Sequence, residues 1–139
     1  MLATLINNLR GLGRAHQPER PPAAEAGFAC SLCGKEAGRL RLLGDASGGE
    51  LRRESFTSAL TSGVGAAQFE QVRSALAARD ARALHAIDLE YTPFFCPRCD
   101  AVYCGAHWLK WDVFDDDDPG HHDSVRGRCP NGHERMLED

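Results

Sequence analysis

Residues 96–107 read Cys96-Pro97-Arg98-Cys99-Asp100-Ala101-Val102-Tyr103-Cys104-Gly105-Ala106-His107. A C-x-x-C turn carries both sulfurs to one side of a tight knuckle and so presents half of a tetrahedral zinc site. Here one such pair is followed, four residues later, by a C-x-x-H pair. Working outward, Cys30-Ser31-Leu32-Cys33 lies upstream and Cys129-Pro130-Asn131-Gly132-His133 lies downstream. These four pairs use all six cysteines and two of the six histidines. Eight ligands fill two closed four-coordinate sites. With no position left for an activated water, the chemistry points to two structural Zn2+ ions rather than catalytic ones.

Two pairings satisfy the count. A sequential arrangement joins Cys30, Cys33, Cys96 and Cys99, and leaves Cys104, His107, Cys129 and His133. An interleaved arrangement joins Cys30, Cys33, Cys104 and His107 at one zinc, and Cys96, Cys99, Cys129 and His133 at the other. A short hairpin over Asp100–Tyr103 sends the two middle pairs in opposite directions, which favours the interleaved form.

The chain has 139 residues, 42% hydrophobic and 26% charged, with a formal net charge of −4. No apolar run reaches the ~20 residues of a transmembrane helix. The acidic balance argues against general nucleic-acid binding, which needs a basic surface to displace counterions. In Met1–Leu12, Asn7, Asn8 and Arg10 interrupt any leader-like apolar core, so the expectation is cytoplasmic. In a reducing compartment, Cys and His at these intervals read as metal ligands rather than disulfides. The excess of Arg (14) over Lys (2), with abundant Ala, suggests a GC-rich bacterial genome.

Leu2, Leu5, Ile6, Leu9 and Leu12 recur at helical spacing, which predicts an amphipathic helix over 1–15 that is available to dock a partner. The Pro- and Ala-rich stretch 16–27 reads as a linker, so the folded module begins at Phe28. Arg39–Leu43 reads as a short strand closed by a Gly-rich turn. Between 50 and 90, Leu51, Phe56 and Leu60, then Phe69, Val72 and Leu76, predict two helices. Asp80 caps a third that carries His85, read as a packing residue. Tyr91, Phe94 and Phe95 supply apolar cover at the second pair. The run Asp115–Asp118, followed by His121 and His122, reads as a solvated loop, with a third metal as the alternative.

The order C-x-x-C, C-x-x-C, C-x-x-H, C-x-x-x-H, with the middle pairs close together, resembles the cross-brace zinc fingers of RING, PHD and FYVE type. Four further positions resemble the RING subset. They are Leu32 before the second ligand, Tyr103 before the fifth, Trp111 four residues after the sixth, and Pro130 after the seventh. The Cys-x-x-Cys second pair and its gap of four are closer to PHD and FYVE, and the 62 residues between Cys33 and Cys96 exceed the usual RING loop. The resemblance implies a small α+β zinc-stabilised domain over 28–139, of cross-brace, treble-clef type, with a helical insert at 50–90. It also implies a groove formed by Leu32, Trp111 and Pro130, with Arg135 beside it, that receives a ubiquitin-conjugating-type enzyme.

The function expected from that resemblance is a bacterial RING-like adaptor that promotes transfer of a ubiquitin-like protein without a nucleophile of its own. A zinc-stabilised protein-interaction module without ligase activity is the alternative. A Cys-dependent redox or hydrolytic enzyme ranks third, because Cys104 and His107 would have to be free of metal.

Overall fold

A computed structural model describes residues 21–139; the helix expected over 1–15, and the linker residues up to 20, lie outside the described residues. The first sheet is a four-stranded antiparallel meander of β1 (Ala24–Ala29), β2 (Glu36–Asp45), β3 (Gly48–Ser55) and β4 (Ala59–Gly65). Helices α1 (Ala66–Ala77) and α2 (Ala81–Ile87) follow, then a single 3-10 turn over Leu89–Tyr91. The short hairpin of β5 (Phe95–Cys96) and β6 (Ala101–Val102) comes next. The three-stranded antiparallel sheet of β7 (Leu109–Phe114), β8 (His122–Arg128) and β9 (Glu134–Glu138) closes the chain.

Two sequence expectations are corrected here. The first is the helical insert: residues 50–55 and 59–65 are strand, and helix begins only at Ala66. Leu51 and Arg53 are both buried, so β3 follows the period of two that a half-buried strand requires. An inward-facing arginine concealed that alternation from a reading based on apolar residues alone. The second is the linker, because Ala24–Gly27 are already paired with the alternating Leu and Arg positions of β2, Ala24 opposite Leu42 and Gly27 opposite Arg39. The domain is therefore mostly β, with two helices, rather than evenly α+β.

Other expectations match. Helix α1 buries Phe69, Val72, Ala75 and Leu76 on one face. The carboxylate of Asp80 caps α2 by accepting from the Ala83 N–H at 3.0 Å. The core under the first sheet is built from Ala26, Phe28, Leu40, Leu42, Leu51 and Val64. Each fully buried Leu or Phe contributes roughly 1.5–3 kcal/mol. Arg53 is accommodated among them because its guanidinium is neutralised. It lies 3.1 Å from Glu138, donates to Ser58 Oγ at 2.9 Å and to the Glu90 carbonyl. That pairing ties the last strand of the chain to the first sheet. Phe94 stacks on Phe28 at 5.2 Å between ring centroids and joins the meander to the metal-ligand region.

Candidate metal centres

Each knuckle is folded by its own backbone. The Cys30 N–H donates to the Lys35 carbonyl at 2.7 Å and the Gly34 N–H to the Cys30 carbonyl at 2.9 Å. Gly34 turns the chain with a φ of 77°, a conformation that costs glycine little. The fourth pair repeats this design, with Cys129 N–H to the His133 carbonyl, Gly132 N–H to the Cys129 carbonyl, both 2.9 Å, and Gly132 at φ 87°. The expected hairpin over Asp100–Tyr103 is displaced towards the N-terminus: Cys96 pairs with Ala101, so the chain reverses through Pro97–Asp100, within the second knuckle, with Asp100 at φ 53°. The first knuckle is anchored to that hairpin where the Ser31 N–H donates to the Val102 carbonyl at 2.8 Å.

These turns bring together two clusters, Cys30, Cys33, Cys104 and His107, and Cys96, Cys99, Cys129 and His133, in each of which the candidate ligand atoms lie within 4.8 Å of one another. This is the interleaved pairing. In the first cluster Cys33 Sγ is 3.6 Å from Cys104 Sγ, and His107 Nδ1 is 3.5 Å from Cys30 Sγ and 3.2 Å from Cys104 Sγ. In the second, Cys99 and Cys129 sulfurs are 3.7 Å apart. His133 Nδ1 lies 3.6, 3.2 and 3.5 Å from the sulfurs of Cys96, Cys99 and Cys129.

These spacings test the fit of an ion. A tetrahedron with metal–sulfur bonds of about 2.3 Å has sulfur–sulfur edges of about 3.8 Å, and a disulfide would need about 2 Å. All six cysteines are free thiols, and in each cluster one sulfur pair, Cys33–Cys104 or Cys99–Cys129, stands at a tetrahedral-edge separation, so each Cys3His cluster could hold one metal ion.

Amide donors surround the sulfurs. The N–H groups of Leu32, Cys99 and Asn131 point at Cys30, Cys96 and Cys129 at 3.4, 3.4 and 3.3 Å. The Asn131 side-chain amide reaches Cys99 Sγ at 3.1 Å and the Tyr103 hydroxyl at 3.4 Å. Asn131 and Tyr103 together bring the Cys99 thiol down to about 6. Burial opposes ionisation of Cys30, but N–H donors from Cys104, Cys33 and Leu32 outweigh it and also bring that thiol to about 6. Desolvation pushes Cys96 up to about 11. In each cluster, then, amide donors stabilise one thiolate that is ready to receive a cation, Cys30 in the first and Cys99 in the second. Asn131 went unnoticed in the sequence; its place inside the fourth knuckle, beside a turn glycine, was the available clue.

The residues expected to meet a partner are dispersed in character. Leu32 is 58% exposed at the tip of the first knuckle, and Pro130 is exposed in the fourth. Trp111 stands on strand β7, with the Arg128 guanidinium 6.0 Å from its ring centroid. Arg135 is half-buried and turned onto the chain's own backbone. Its guanidinium donates to the carbonyls of Thr92 (2.8 Å), Phe95 (2.6 Å), Leu89 (3.0 Å) and Met136 (2.8 Å). Burial pulls its pKa down to about 10, and the neighbouring Cys96 thiolate counters that. Trp108 is core, 4% exposed, with its indole N–H on the Phe94 carbonyl at 3.3 Å.

Asp115–Asp118 are exposed in the β7–β8 connection, and His122 pairs with Asp112 at 3.0 Å. Among the described residues no third ligand cluster forms there. An open cleft of about 470 Å³, lined in part by Ser31, Arg79, Asp80 and Arg82, brings no nucleophile to a base. No described helix is long and apolar enough to cross a membrane.

The family model described as "Domain of unknown function (DUF8328)" matches residues 20–139. No curated protein and no solved structure matches the chain.

Proposed function

The chain belongs to the DUF8328 family, and from its two clusters we propose that it is a zinc-stabilised protein-binding module of cross-brace type, without chemistry of its own. The observation that carries this reading is the completeness of both ligand sets. Three cysteines and one histidine fill a tetrahedron and leave no position for a substrate or an activated water. Thiolate-rich donors favour zinc over magnesium or calcium, which take oxygen. When bound, each ion supplies fixed cross-linking of distant segments. The chain's own residues do the rest: Asn131 and the knuckle amides hold the thiolates, and Arg135 holds the backbone entering the second centre.

Such a module works by displaying a rigid surface. The exposed Asp115–Asp118 turn lends that surface a negative field, which suits a basic partner. Cobalt substitution tests the closed-site reading. Two Co2+ ions per chain should give tetrahedral thiolate spectra that do not change when azide is added. A spectrum altered by azide would reveal an open coordination position and overturn the reading.

A second reading, the RING-like adaptor for a ubiquitin-conjugating-type enzyme, retains the support of one observation. Leu32 is 58% exposed on the first knuckle, where an apolar contact to such an enzyme would be made. Accelerated discharge of a charged conjugating enzyme, lost in Leu32→Ala with both ions retained, would establish it. No acceleration by the wild type leaves the binding module.

A further inference from the structure

Strand β7 is an edge of its sheet: β8 pairs with it on one side, and no described strand pairs with it on the other. Exposed edges invite pairing with another chain unless their side chains oppose it. The sequence along this edge, Leu109-Lys110-Trp111-Asp112-Val113, has a symmetry about Trp111. Apolar residues stand two positions to either side, and charges of opposite sign stand one position to either side.

We propose that β7 is a homodimer interface at which two copies of this chain pair antiparallel about a two-fold axis through Trp111. An axis perpendicular to the sheet brings side chains of the same face opposite each other, so residue pairs must sum to an even number. In the register centred on Trp111, Leu109 faces Val113 of the second copy, Lys110 faces Asp112, and Trp111 faces Trp111. One face of the joined sheet then carries a continuous Leu–Trp–Val row, and the other carries two reciprocal ion pairs. Directly opposed residues in antiparallel strands interact in this way across about 5 Å.

The exposure of these side chains fits that use. Leu109 is 61% exposed and Lys110 and Asp112 are exposed, although a lone folded chain gains nothing from an apolar side chain in water there. The contacts that Lys110 and Asp112 make within the chain are solvent-exposed: to the Phe56 carbonyl at 3.2 Å and to His122 at 3.0 Å. Lysine on an edge strand commonly blocks pairing; here the same residue finds its complement in a second copy and thereby selects one register.

Sedimentation of the full zinc-loaded chain over a concentration series, at about 0.15 M salt, tests the assignment. A reversible dimer is expected. Lys110→Asp and Asp112→Lys each replace both reciprocal ion pairs with like-charge pairs and should weaken association about tenfold or more. The double variant Lys110→Asp/Asp112→Lys restores the complement and should return association to near the wild-type level. Leu109→Asp, at an exposed site that folding does not need, should weaken it independently. A wild type that stays monomeric throughout overturns the proposal. So does a dimer that ignores the single swaps or Leu109→Asp, or one that the double variant does not restore.

Discussion

One Nη of Arg135 lies 2.6 Å from the carbonyl oxygen of Phe95, the residue immediately before the first ligand of the second cluster. The guanidinium gathers three further carbonyls, so the C-terminal strand grips the loop that enters the metal centre. Among the described residues no carboxylate is bonded to it. A centre with three thiolates and one dication carries a net negative charge, which offers this buried cation a compensating field. Arg135→Met should therefore lose about 2–4 kcal/mol of stability, because four carbonyls each lose a charged donor. Chemical denaturation with zinc quantification checks this. The second centre should also release zinc to a chelator faster than the first; unchanged stability and release would refute the role.

The interleaved pairing makes a stoichiometric prediction. Cys30→Ser/Cys104→Ser removes two ligands from one centre and should leave one metal per chain by native mass spectrometry. Under the sequential alternative the same double variant damages both centres. A result of no bound metal would support that alternative.

Gly38 packs under Phe94, and a methyl group there would meet two ring carbons at 2.5 Å. Gly38→Ala should cost about 1–3 kcal/mol through forced repacking of the Phe28–Phe94 stack. Gly63, where an added Cβ meets nothing within 4 Å, serves as the control. Gly63→Ala should be neutral or slightly stabilising. Equal urea midpoints for the two variants would contradict the packing argument.

His85 carries a pH dependence with a definite sign. Burial, and then Arg135 and Arg82, hold its pKa below the ordinary 6.5. As pH falls, the unfolded chain takes up this proton before the folded chain does. The stabilisation is complete above about pH 6.5, declines as pH drops below it, and levels off beneath the folded pKa. His85→Gln should flatten this limb, read as denaturation midpoints from about pH 7 to about pH 5 in zinc-containing buffer. Parallel curves for the two proteins would exclude the effect.

The ligand sets were legible in the sequence because knuckle geometry is local. Cys30-x-x-Cys33 and Cys96-x-x-Cys99 each fix two sulfurs without help from the fold, and the second of these knuckles is itself the turn that reverses the chain between β5 and β6. Helix α2 was legible for the same reason, since Asp80 and Ala83 are near neighbours in the chain. What failed depended on distant partners. Arg53 looks polar until Glu138 neutralises it, so β3 did not show its alternation and was read as helix. Arg135 looks like a surface cation until the carbonyls of residues 89–95 converge on it, and only the folded chain brings them there. Leu109–Phe114 likewise becomes a strand only through its partner, pairing with β8 over its whole length.

The central claim is that two fully ligated metal ions hold this fold together, each supplying folding free energy on the order of 10 kcal/mol. Elemental analysis of the purified chain, combined with titration of thiols under native conditions, tests it most directly. The account predicts two zinc ions per chain and six cysteines that react only after chelation or denaturation. Fewer than one zinc per chain, with thiols that react freely in the native protein, would contradict it.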